Sequence, residues 1–265
     1  AYQNKNLQAP TIWVYTDAPE AFEAFKTHLP LHTKTITAQQ IHAWKGSIQF
    51  VHRVKIEIIL QALQRWEGAV LYCDTDTYPL RPVDDLLDQI KNDQVLMHVD
   101  EGNLAQPQSK HLHKWKQFLK STQNLPFTLP PLETFHMWNA GVIGISKTHL
   151  PLVQQVLHLT DALYPMFPKH TAEQFSFCQV FQEKGLRILP AAAHIFHYWD
   201  LKEFRVFLDH FFKTAPQDVT QWITWSNQWL PEKLAADKQS FKKQSAIGKM
   251  WRRLQGKEWR IEQYL

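Results

Sequence analysis

The sequence predicts an α/β fold, a mixed, mainly parallel sheet flanked by helices, followed by a basic helical tail. Three observations carry that expectation. Short runs of β-branched and aromatic residues alternate with segments of helical period, which is the pattern of strands joined by covering helices. The 265 residues, 44% hydrophobic and 13% aromatic, are enough for one large domain with a sizeable core. One apolar strand ends in two carboxylates, and open α/β sheets bind ligands at strand carboxyl ends.

The elements follow in order. "TIWVYTD" (residues 11–17) is a β-rich run ending in an acid, and "APEAFEAF" spaces Phe22 and Phe25 as a helix does. "TKTITA" (33–38) reads as a weak peripheral strand. "FVHRVKIEIILQALQRW" (50–66) places Val54, Ile58 and Ala62, with Leu60 and Leu63, along an amphipathic helix that Gly68 ends. "AVLYC" is the next strand, "PVDDLLDQI" a helix with Pro82 near its start, and "QVLMHVD" (94–100) another strand.

Residues 101–134 break the pattern with a short helix, "HLHKWKQFLK", and a loop carrying Pro126, Pro130 and Pro131. Stretches this long between strands usually cover a site. His111 and His113 in that helix read as solvated surface, because two residues on a helix diverge in direction. "WNAGVIGIS" (138–146) is an apolar strand with two glycines, helices follow at about 151–164 and 172–183, and "LRILPA" (186–191) closes the alternation.

Charge is unevenly placed. Residues 238–265 hold eight Lys or Arg against two Glu, a local +6 that leaves about −2 for the body of a chain with net +4. A general nucleic-acid surface is therefore not expected. The division that follows is a domain over 1–237 and a basic amphipathic tail over 238–265. In the tail Met250, Trp251, Leu254, Ile261 and Leu265 fall largely on one helical stripe, with Lys249, Arg252, Arg253, Lys257 and Arg260 around it. Such a helix suits an anionic bilayer surface. Two cysteines are too few for a disulfide framework, and no apolar run approaches the roughly 20 residues that span a bilayer. The expected location is the cytoplasm, peripheral at the inner face of the membrane.

Asp74 and Asp76, two hard oxygen donors at a strand end, suit Mg²⁺ or Mn²⁺ together with the oxygens of a diphosphate. With the upstream "HRVKIEIIL", the segment "GAVLYCDTDTYPL" resembles the GT-A nucleotide-sugar glycosyltransferases, particularly the retaining galactosyltransferase and glycogenin type. "WNAGVIGIS" is similar to their Asn-Ala-Gly strand, "AEQFSF" to their acid–Gln pair, and "HYWDLKEF" to their late His…Lys segment.

That resemblance implies a GT-A fold and transfer of a hexose from a nucleotide-diphosphate sugar, UDP-linked first, to a glycan or lipid-linked acceptor. By it, Asp76, Asp74 and His197 would hold the metal, with Asp74 also near the donor ribose. Arg53, Lys55 and Lys202 would meet the donor sugar and diphosphate, while Asn139, Ala140 and Gly141 would lie against the sugar. Glu173 and Gln174 would stand beside the reacting carbon. The late segment departs from the family: it lacks the usual Gly between His and Lys and is one position shorter, and His194 competes with His197. The family also has a nucleotide-binding strand ahead of position 11, for which "AYQNKNLQAP" is too polar. A phosphohydrolase using Asp74 and Asp76, and a non-catalytic sugar-binding module, remain as alternatives.

Overall fold

The computed structural model describes residues 10–215, 218–226, 228–229 and 231–261, and in it the chain is α/β. It divides into two compact units, one ending at His197 and the next beginning at Tyr198. The expected boundary between residues 237 and 238 falls inside a helix, Pro231–Lys243.

The first unit opens with a parallel pair, β1 (Ile12–Thr16) beside β2 (Leu31–Thr35). Between them Pro19–Phe25 is a 3-10 helix and not the expected α-helix. Residues at i and i+3 share a face in both helix types, so the Phe22/Phe25 spacing could not separate them. Thr37 caps α1 (Ala38–Trp44) by accepting from Gln40 N–H at 3.1 Å. α2 (Arg53–Arg65) closes at Trp66 in extended backbone, and Gly68, at φ 87°, turns the chain into β3 (Ala69–Cys73). The buried stripe of α2 runs through Lys55, Ile56, Ile59, Leu60 and Leu63, rotated from the expected line because Lys55 points inward.

The remaining strands and α-helices of this unit are β4 (Thr77–Pro79), α3 (Asp84–Lys91), β5 (Val95–Met97), β6 (Asp100–Asn103), α4 (Lys110–Ser121), β7 (His136–Trp138), β8 (Val142–Ser146), α5 (Leu150–Leu163), α6 (Ala172–Glu183), β9 (Ile188–Pro190) and β10 (Ile195–His197). The central sheet has the order β3-β8-β5-β9. β5 and β9 are parallel, but β8 is antiparallel to both β3 and β5, so most of its pairings are not the parallel ones expected. The reversal has a local cause. β6 and β7 form an antiparallel ladder that brings the chain back to the end of the sheet where β5 leaves it. β8 must then run the other way.

Alternation sorts the sheet's side chains between two cores. Val70, Tyr72, Val95, Met97, Ile143, Ile145 and Ile188 face the helices α2, α4, α5 and α6. Ala69, Leu71, Leu96, Val142 and Leu189 face α3 through Leu86 and Ile90. Gly144 permits that second contact: a Cβ there would meet Leu96 Cδ1 at 2.6 Å and Ile90 Cδ1 at 2.8 Å.

The second unit is helical: α7 (Glu203–Thr214), α8 (Val219–Ser226), α9 (Pro231–Lys243) and α10 (Ala246–Leu254). Phe204, Phe207 and Phe211 of α7 pack edge-on against Trp229. Lys238, expected to open the tail, is instead buried and donates to Asp200 O at 2.8 Å and to Glu203. α10 is capped by Ser245 and carries Ile247, Met250, Trp251 and Leu254, each more than half exposed. Ile261 is buried and so does not share that exposed stripe, and Leu265 lies outside the described residues.

Candidate metal centre

Two short ladders build the site. Asp74 continues β3 by one bond, its N–H donating to Gly141 O at 2.8 Å. The chain then turns, Thr77 Oγ1 donating to Asp74 O at 2.8 Å, and re-enters as β4. β4 pairs antiparallel with β10, and this register sets His197 opposite Thr77, beside Asp76. The result is a group in which Asp74, Asp76 and His197 each bring a ligand atom within 4.8 Å of the others. His197 Nε2 lies 3.1 Å from Asp76 Oδ1. Of the two competing histidines, His194 lies instead beside Asp85, at 3.7 Å.

Around this group sits a buried polar cluster. Lys55 Nζ reaches Asp74 Oδ2 and Ala140 O, both at 3.0 Å, and Glu173 Oε1 at 3.5 Å. An ammonium has three donors, and all three are engaged. Burial would push the Lys55 pKa down, but the carboxylates of Asp74 and Glu173 outweigh it and hold the pKa above its ordinary value. Lys55 therefore organises two carboxylates and is not turned toward a ligand phosphate. The other oxygen of Asp74 accepts from Tyr72 Oη at 2.8 Å. Desolvation, then the Asp74 charge, drives the Tyr72 pKa well up, so the phenol stays a donor.

Glu173 and Gln174 occupy the first turn of α6, both buried. Trp115 fixes that turn, Nε1 donating to Thr171 Oγ1 at 2.9 Å while its ring stacks on Phe175. Glu173 Oε2 is buried with no hydrogen-bond partner in the structure. The same side chain's Oε1 lies 3.5 Å from Lys55 Nζ, so one oxygen meets the ammonium and the other meets no donor.

The Asn-Ala-Gly segment takes a different part from the expected one. Asn139 N–H donates to Val99 O at 2.8 Å and Asn139 O accepts from His98 N–H at 3.0 Å, which pins the segment to the turn between β5 and β6. Its side chain joins Glu101 to His197: Nδ2 donates to Glu101 Oε1 at 3.0 Å, and Oδ1 lies 2.9 Å from His197 Nδ1. The Ala140 side chain enters the core while its carbonyl receives Lys55. At Gly141 a Cβ would fall 2.1 Å from His197 Nδ1. All three residues support the metal group, and none is left facing a sugar by the contacts described.

Arg53 does not reach this cluster. Its guanidinium donates to Asp161 at 2.7 and 3.1 Å, to Glu57 at 2.7 Å and to Trp44 O at 2.7 Å, tying α2 to α1 and α5. Residues two apart on a helix diverge by about 200°, so Arg53 and Lys55 could not both face the site. Lys202 is exposed at the N-terminal cap of α7, within the second unit.

Sequence reading passed over Glu101. This half-buried carboxylate accepts from Gln174 Nε2 at 2.8 Å, from Asn139 and from His111 Nε2, which faces it at 3.1 Å. Burial would raise its pKa, yet the hydrogen bonds from His111, Asn139 and Gln174 together hold it below the ordinary value. His111, read as solvated surface, is thus one of its partners.

No family model matches the chain, and no curated protein or solved structure matches it either. The site's own chemistry has to carry the functional reading. Two carboxylates and one imidazole are a donor set that fits Mn²⁺ well and Mg²⁺ acceptably, imidazole being the softer ligand.

Proposed function

We propose that the chain is a metal-dependent glycosyltransferase of GT-A type, moving a hexose from a nucleotide-diphosphate sugar, UDP-linked first, to a glycan or lipid-linked acceptor with retention of configuration. The observation that carries the proposal is the meeting of Asp74, Asp76 and His197 at a strand's carboxyl end. These are the three residues that the resemblance to that family names as metal ligands, and His197 lies 121 residues from Asp76 in sequence.

Mn²⁺ held there supplies Lewis-acid neutralisation of the charge that grows on a leaving diphosphate. The chain's own residues do the rest. Lys55 holds Asp74 and Glu173 at fixed distances with its own charge intact, so the site needs little rearrangement when substrate arrives. Glu173, whose Oε2 is buried without a hydrogen bond, supplies negative charge to steady the positive charge developing at the anomeric carbon. Gln174, tied to Glu101, keeps the first turn of α6 in register. Arg53 has no place in this account.

The phosphohydrolase alternative is weaker because both oxygens of Asp74, its required nucleophile, accept hydrogen bonds. Incubating the protein with a panel of nucleotide sugars, with and without Mn²⁺, tests the proposal. Release of UDP from one UDP-hexose only when Mn²⁺ is present is expected. Metal-dependent cleavage of a generic phosphate ester, with every nucleotide sugar untouched, would replace it with the hydrolase reading.

The tail extends the proposal to location. Among the described residues no helix is long and apolar enough to cross a membrane. α10 instead exposes Ile247, Met250, Trp251 and Leu254 at i, i+3, i+4 and i+7, with Lys249, Arg252 and Arg253 interleaved. An apolar stripe with a tryptophan and a cationic surround complements an anionic bilayer surface at the inner face of the membrane.

A further inference from the structure

We infer that Glu101 and Asn139 act together as positioning residues that fix the tautomer of His197 and so turn its Nε2 into a metal ligand. The inference rests on the metal reading proposed above and deepens it. Three hydrogen bonds carry it, each constraining the next.

Glu101 is half-buried within the first unit, its side chain 15% exposed, and an ionised carboxylate can only accept. Its Oε1 faces the Asn139 amide at 3.0 Å, so the amide must present its NH₂ there. Independently, Gly141 N–H donates at 2.9 Å to the other end of the same amide, which must therefore be the carbonyl oxygen. Two unrelated neighbours thus demand the same orientation of a side chain that is otherwise free to flip. Asn139 Oδ1, an acceptor, then sits 2.9 Å from His197 Nδ1, and this nitrogen must carry the proton. Nε2 is then the nitrogen left to meet a metal, the atom that lies 3.1 Å from Asp76 Oδ1 and within the ligand group.

The arrangement does more than orient one ring. Gln174 shares Glu101 with Asn139, so the turn carrying Glu173 and the imidazole at the metal group are held by one carboxylate. Histidine ligands are commonly braced through their second nitrogen, and losing the brace typically costs 10- to 100-fold in metal affinity. Here the brace reaches a carboxylate through an intervening amide.

The test uses the full chain, labelled with ¹⁵N at histidine. Long-range ¹H–¹⁵N correlation spectra of the metal-free wild type at neutral pH should show a proton on His197 Nδ1. Titration calorimetry with Mn²⁺ should show Asn139→Leu binding about 10- to 100-fold more weakly than wild type. The paired exchange Glu101→Gln with Asn139→Asp swaps donor and acceptor between the two residues while keeping an acceptor against Nδ1. It should bring affinity back to within a few-fold of wild type, which a merely structural role would not predict. An Nε2–H tautomer in the wild type would overturn the inference even if no variant folds. So would an unchanged Mn²⁺ affinity in Asn139→Leu, provided that Asp76→Asn abolishes binding. A wild type that binds no Mn²⁺ at all would remove the metal reading itself, and the inference with it.

Discussion

A methyl group at position 141 would lie 2.1 Å from His197 Nδ1 and 2.2 Å from Cε1, closer than any real contact. Glycine's backbone freedom is not what is needed there, because Gly141 is absent from the residues of positive φ. The requirement is purely steric and falls on the imidazole. Gly141→Ala should therefore fold, yet weaken Mn²⁺ binding about tenfold or more by displacing the ring. Calorimetry beside a thermal melt separates the two effects; an unchanged Mn²⁺ affinity would mean that His197 is not held as described. At this scale the sequence was partly legible. Asp74 and Asp76 stood out because charge at the end of an apolar strand needs a partner. Glu101 did not, being a lone acid after a strand, and its importance comes from Asn139, Gln174 and His111 arriving from three other elements. Asn139, Ala140 and Gly141 were expected to lie against a donor sugar, but which way an amide or a carbonyl points is set by neighbours that sequence spacing does not reveal.

The elements show where periodicity succeeds and where it fails. α5 and α6 lie within a residue of the expected positions, since long segments with a clear apolar stripe leave little choice. β8 was expected too, but not its direction, which depends on the β6/β7 ladder some residues earlier. Those two strands are three or four residues long, and the short strands β4 and β10 were likewise not anticipated. Runs that brief carry almost no periodic signal. α2 offers the prediction belonging to this scale. Two of its cations have opposite duties, Lys55 turned to the site and Arg53 clamping α1 and α5. Replacing Arg53 by Ala removes hydrogen bonds to Asp161, Glu57 and Trp44 O and leaves partly buried carboxylates unpaired. A loss of about 1–3 kcal/mol in stability is expected, with Mn²⁺-dependent UDP affinity within a few-fold of wild type. Denaturant melts and calorimetry on the same preparation check both halves. Retained stability with lost nucleotide binding would return Arg53 to the donor site.

Across the whole molecule, composition located the basic charge but not its architecture. The cationic segment begins within α9, where Lys238 is buried in a helical unit that starts at Tyr198, while α10 presents an exposed amphipathic face. Counting charges along a chain cannot show which of them fold inward. Each basic side chain at an anionic surface contributes about 1 kcal/mol, weakening with salt. The full chain should accordingly co-sediment with phosphatidylserine-containing vesicles and not with neutral ones. Met250→Glu with Trp251→Glu should abolish this while leaving nucleotide binding intact, and equal sedimentation of variant and wild type would refute a bilayer role for α10. The central claim, however, is that a nucleotide diphosphate binds through a metal held by Asp74, Asp76 and His197. Its most direct test is the calorimetric affinity of UDP for wild type and Asp76→Asn, each with Mn²⁺ and with chelator. The account predicts tight binding only for wild type with Mn²⁺, and a variant that stays folded but gains nothing from the metal. Equal UDP affinity in wild type with Mn²⁺ and with chelator, or in wild type and variant under Mn²⁺, would contradict it.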